Sequence, residues 1–151
     1  MNTDQIKKNT LEIINSSTAR QEKLQKIAEL LNSEVEVFDW TGFYLSSETE
    51  ERMLELGPFV GEETDHTRIP YGTGICGQAA DTLDTFVVQD VSKEDNYLAC
   101  GVHVGAEIVV PVKKDGKFVA ELDIDSHTKD SMTEEHRKVL EDICEIVSPL
   151  F

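Results

Sequence analysis

The chain is short of positive charge. Fourteen Lys and Arg stand against 30 Asp and Glu, a net charge of -16 over 151 residues. Nucleic-acid binding rests on cationic side chains at phosphates, so this balance argues against nucleic acid as a partner and against anionic membrane surfaces. No apolar run approaches the roughly 20 residues that cross a bilayer, so no membrane association is expected. The stretch from Met1 to Ile6 lacks the basic and apolar segments of a secretory signal, and the cytoplasm is the expected compartment. Cysteine is scarce, three in all and an odd number, and neither Cys-x-x-Cys nor His-x-x-x-His occurs. Zinc therefore has little support. In a reducing compartment, reactive or buried thiols are expected rather than a disulfide framework. Internal repeats, low-complexity tracts and linkers are also missing, so one domain is expected over 1–151.

Periodicity gives the order of elements. Ile6, Leu11, Ile13 and Ile14 form a partial helical stripe. Thr18 and Gln21 match a capping box for a second helix, which Leu24, Ile27, Ala28 and Leu31 make amphipathic. These helices occupy 1–33. Val37 to Leu45 is β-branched and aromatic and reads as a strand, and Arg52 to Leu56 as its hairpin partner, stopped by Gly57-Pro58. Ile75 to Thr82 reads as a short helix, Phe86 to Val88 as a brief strand, and 92–104 as a loop carrying Cys100. Two strands follow, Glu107 to Val112 and Phe118 to Ile124, joined by a turn with the Asp-Gly hairpin signal. The sheet and its loops thus occupy 37–126. Ser131 or Thr133 caps a last helix within 131–148, with Val139, Leu140, Ile143 and Val147 on its core face. The expected fold is α+β, a central antiparallel sheet with the N- and C-terminal helices packed mainly on one face.

The stretch from Gly72 to Asp125 gathers the residues fit for chemistry. Cys100 stands in a polar loop beside Gly101, where a thiol reaches substrate; the plainer reading is an inert buried thiol. Cys76 opens the short helix, whose amides would favour a thiolate, although a small packing residue fits equally. Cys144 lies in an apolar stripe and reads as core. Glu107, Asp123 and Asp125 interrupt strands that are otherwise apolar. Asp123 and Asp125 are two apart and share a face. Acids so placed repel each other unless a cation lies between them or one is protonated. An amino-acid ammonium would serve, a metal is the alternative, and a solvated strand end is the plain one. Trp40 and Tyr44 share a face, with Gly42 between them leaving it open. They suit the wall of a pocket for a small apolar group or, more simply, a core.

Seven pieces occur in order: Trp40-Thr-Gly-Phe-Tyr44, Leu56-Gly-Pro-Phe59, Arg68-Ile-Pro70, Gly72-Thr-Gly-Ile-Cys-Gly77, Leu98-Ala-Cys100, Glu107-Ile-Val-Val-Pro111 and Leu122-Asp-Ile-Asp-Ser126. Together they resemble the free methionine-(R)-sulfoxide reductases, single-domain members of the GAF-domain family. The resemblance implies a GAF-like fold and thiol-dependent reduction of free methionine (R)-sulfoxide with no cofactor and no metal. It makes Cys100 the attacking thiol and Cys76 the resolving one, linked as a disulfide that a thioredoxin-type donor reopens. Glu107 or Asp125 would protonate the departing oxygen, Asp123 would hold the substrate ammonium, and Trp40 and Tyr44 would wall the site. Many members carry a further cysteine before the Arg-Ile-Pro element; here the loop from Gly61 to Thr67 has none. A homodimer is left open. Two alternatives remain at this point, a non-catalytic GAF module for a small ligand and a thiol redox sensor.

Overall fold

In a computed structural model describing residues 1–98 and 103–151, the chain begins with α1 (Thr3–Ile14) and α2 (Arg20–Glu34). Strands β1 (Trp40–Ser46), β2 (Met53–Val60) and β3 (Arg68–Pro70) follow, then α3 (Gly74–Thr82), β4 (Phe86–Val88), β5 (Ala106–Lys114), β6 (Lys117–Ser126) and α4 (Glu134–Val147). The strands form one sheet in the order β3-β2-β1-β6-β5-β4, every pairing antiparallel. This is the expected α+β arrangement.

Local chemistry explains the main joints. At the β5–β6 turn Asp115 and Gly116 both have positive φ, 54° and 76°, as a tight right-twisting hairpin requires. β6 then pairs on its other side with β1, Leu45 to Ala120 through Trp40 to Asp125. This places the middle of β6 at the centre of the sheet. Alternation along β6 divides its side chains. Ala120, Leu122 and Ile124 enter the core formed with α1, α2 and α4, which includes Leu24, Ile27, Leu140 and Ile143. Glu121, Asp123 and Asp125 take the opposite face, where α3 packs on β5 and β6.

Two local expectations need correction. Gly57-Pro58 does not stop β2, which continues to Val60. Tyr44 pairs with Leu56 and Gly42 with Phe59, so Gly57 and Pro58 together face Phe43. A bulge tolerates a proline, which has no N–H for the ladder. Thr18 does not cap α2. The helix begins one residue later than a capping box there needs, its N-cap is Ala19 with no side-chain bond, and the Thr18 hydroxyl pairs with Ser16 Oγ at 3.0 Å. At α4 the cap is Thr133, and the box is closed by His136 rather than by a Glu or Gln.

Candidate active site

The sheet face under α3 carries a row of buried carboxyls. Glu121, Asp123 and Asp125 follow one another at every second residue of β6, and Glu107 on β5 stands beside Asp125 in register. All four are 1% exposed or less. Packing several carboxyls into a dry interior is costly, and such clusters concentrate where a cation or a proton is handled. α3 lowers Cys76 onto the row. Its sulfur and one oxygen each of Glu107 and Asp123 lie within 4.8 Å of one another, with no histidine among them. Glu121 lies at the inner end. Burial first, then the charge of Asp123, push its carboxyl pKa well above the ordinary carboxylate range.

At the outer end of the row the surface opens into a hollow of about 180 Å³, lined by Trp40, Gly61, Glu62, His103, Asp125 and His127 among others. This is smaller than the roughly 300–1,000 Å³ of drug-sized sites and suits a ligand the size of an amino acid. The wall is fixed by Trp40, whose Nε1 donates to the Glu62 carbonyl at 3.0 Å and whose ring stacks on Phe59 with centroids 5.3 Å apart. Gly61 has φ +132°, and a Cβ there would stand 2.5 Å from Trp40 Cδ1. The close approach of indole and backbone therefore requires glycine. At the rim Asp39 accepts the His127 amide at 2.7 Å, and the His103 and His127 rings meet edge to face at 6.1 Å.

A family model described as GAF domain matches residues 19–149. The chain belongs to the GAF-domain family. Among GAF domains it belongs with the free methionine-R-sulfoxide reductases. It is 36% identical over 111 residues to the protein of that name from Saccharomyces cerevisiae, a match covering 73% of this chain and 61% of the yeast protein. The matched stretch thus spans about three fifths of that relative's length. It resembles the X-ray structure of free methionine-R-sulfoxide reductase from Neisseria meningitidis in complex with its substrate, with TM-score 0.91 and 32% identity, covering 99% of this chain and 87% of the other. It likewise resembles the structure of fRMsr of Staphylococcus aureus in reduced form, with TM-score 0.89 and 34% identity, covering 99% and 94%.

In this GAF domain the residues singled out from sequence fall at different depths. Trp40 and Asp125 line the hollow. Glu107, Asp123 and Cys76 lie behind it as the buried trio. Tyr44 is fully buried, its ring 6.3 Å from that of Trp40 and its hydroxyl donating to the His66 carbonyl at 2.9 Å. Cys100 lies outside the described residues. Before it, Leu98 packs so close to Gly74 that a Cβ on the glycine would stand 2.7 Å from the Leu98 Cβ; after it, His103 lines the hollow. Cys144 is far from this face. It is buried on α4, where burial foremost pushes its thiol far above the usual range. A larger groove of about 780 Å³ runs between α4 and the ends of β4 and β5, lined by Lys113, Arg137 and Glu141 among others; it touches none of the acid row. Sequence reasoning missed Glu121, Glu62 and His127. For Glu121 the signal was present: Glu-x-Asp-x-Asp on one strand must share a face.

Proposed function

We propose that this GAF domain reduces free methionine (R)-sulfoxide to methionine in the cytoplasm. One observation carries the reading: a buried row of acids meets a thiol behind a small hollow walled by an indole. A ligand-sensing module has no use for the thiol, and a plain thiol switch has none for four carboxyls. The names of the yeast, Neisseria and Staphylococcus proteins support the same substrate.

The Cys100 thiolate attacks the sulfoxide sulfur. Glu107 or Asp125 gives a proton to the oxygen as the sulfoxide S–O bond breaks, the oxygen passes to the Cys100 sulfur as hydroxyl, and methionine leaves. Asp123 holds the substrate ammonium, which explains a free amino acid as substrate, since a peptide-bound residue has none. Trp40, backed by Tyr44, receives the thioether end. Cys100 remains as a sulfenic acid. Cys76 condenses with it, water leaves, and a thioredoxin-type dithiol restores both thiols by exchange. Support for Cys100 comes from its two flanks, Leu98 against Gly74 and His103 at the hollow. The reading accommodates a homodimer.

The test is consumption of the two free epimers with a dithiol donor. The (R) epimer is expected to turn over and the (S) epimer to persist. Turnover of neither, or of both equally, overturns the assignment.

A further inference from the structure

We propose that Cys76, Glu107 and Asp123 form a site for a thiophilic divalent cation of the zinc–cadmium type, which inhibits the domain while it is bound. The inhibition rests on the reductase reading above; the binding site itself does not. The three residues come from α3, β5 and β6 and are 4%, 1% and 0% exposed. The Cys76 sulfur and one oxygen of each acid lie within 4.8 Å of one another. Around one zinc ion, with sulfur at about 2.3 Å and oxygen at about 2.0–2.2 Å, tetrahedral ligands stand about 3.5 Å apart. Small rotations of the three side chains therefore close them on a single ion.

A second observation points the same way. Glu121, the next residue inward on the Asp123 face, is 0% exposed, and neither of its oxygens has a hydrogen-bond partner among the described residues. Buried polar groups are nearly always partnered, and a cation beside Asp123 supplies charge where this carboxyl lies. Asp125 opens the way in: it lines the hollow and stands beside Glu107 in register, so carboxyls mark a path from the surface to the trio. The net charge of -16 draws cations toward it.

The donor set selects the ion. Mg²⁺ and Ca²⁺ take oxygen ligands and have no use for a thiolate. One sulfur with two carboxylates suits Zn²⁺, or Cd²⁺ as its softer stand-in. Three protein ligands leave a fourth position open, unlike a closed structural zinc site. Cys76 binds as the thiolate: its S–H bond breaks, the proton passes to solvent and the metal–sulfur bond forms, with nothing oxidised or reduced. The ion and the substrate then exclude each other, because Asp123 is the group assigned to the substrate ammonium. A Cys76 held as metal thiolate is also withdrawn from disulfide closure.

The test is titration of the reduced chain with Cd²⁺, followed by calorimetry and by the ultraviolet thiolate–cadmium charge-transfer band. Wild type and Cys144→Ser are expected to bind one tight ion and show the band. Cys76→Ser is expected to lose the band and bind about 100-fold more weakly. A band kept in Cys76→Ser, whichever thiol then carries it, overturns the proposal, as does a wild type without one. If Cys76→Ser fails to fold, Asp123→Asn decides: the band stays and affinity falls by about tenfold or more, and unchanged affinity overturns the site. Inhibition is read in the first turnover without dithiol. Zn²⁺ is expected to slow methionine formation, less so at higher sulfoxide, and EDTA to restore it; an unchanged rate with the site loaded overturns the inhibition. A wild type that binds Cd²⁺ through Cys76 yet forms no methionine after EDTA sinks the reductase reading and leaves the metal site standing.

Discussion

The indole of Trp40 occupies the space above Gly42: a Cβ at position 42 would stand 2.5 Å from Trp40 Cη2 and 2.7 Å from Phe59 Cβ. Gly42 pairs with Asp123 across the β1–β6 ladder. The missing side chain does not leave a gap, as its place between two aromatics suggested. It lets the wall of the hollow lie flat beside the acid row.

Gly42→Ala is therefore expected to displace the ring rather than the strand. Overpacking of this kind costs about 1–3 kcal/mol. The tryptophan emission should shift and KM for the sulfoxide should rise while the circular dichroism stays that of wild type. Wild-type KM with an unshifted emission would show that Trp40 is not held by this contact.

Asp123→Asn removes the charge proposed to hold the substrate ammonium. A charged hydrogen bond contributes about 1.5–3 kcal/mol, so KM should rise by roughly tenfold or more with a smaller change in kcat. An equal affinity for sulfoxide lacking its amino group in the wild type would contradict the assignment.

Much of this was legible in the sequence where local rules decide. The Asp-Gly turn set the β5–β6 hairpin, and the stripe through Val139, Leu140 and Ile143 set α4. Asp123 and Asp125 two apart had to share a face. What was not legible depended on tertiary pairing. Gly57-Pro58 reads as a stop until pairing with β1 accommodates the two as a bulge in β2 opposite Phe43. Glu121 reads as one more charge on a strand in an acidic chain until α3 covers it. The depth order, Trp40 at the hollow and Tyr44 beneath it, follows from the long-range contact of Tyr44 with the His66 carbonyl.

Stability should respond to Glu121 in a definite direction. Its folded pKa lies well above the ordinary value of 4.5. Below that value both states are protonated and the group is neutral to stability. As pH rises past it the unfolded chain releases the proton, the folded chain keeps it, and stability is lost until the folded pKa is passed. E121Q should therefore match wild type in Tm at about pH 4 and exceed it at about pH 8. A difference that does not grow with pH would contradict the burial argument.

The α4 cap carries the opposite sign. Burial foremost lowers the His136 pKa below its ordinary 6.5, and its Nδ1 accepts the Thr133 amide at 3.1 Å, as only the neutral ring can. Its contribution is present above about pH 6.5 and lost as pH falls through the folded value. His136→Gln, which can still close the box, should lessen the fall in Tm between about pH 7 and pH 5. Thr133→Ala should cost about 1 kcal/mol across that range.

The most direct measurement of the central claim is the single-turnover yield of methionine from free methionine (R)-sulfoxide, without reductant, in wild type and in Cys100→Ser. Wild type is expected to form one methionine per chain and to end with Cys76 and Cys100 joined, while the variant folds and forms none. Methionine formed by the variant at the wild-type yield would place the reacting sulfur elsewhere and contradict the account.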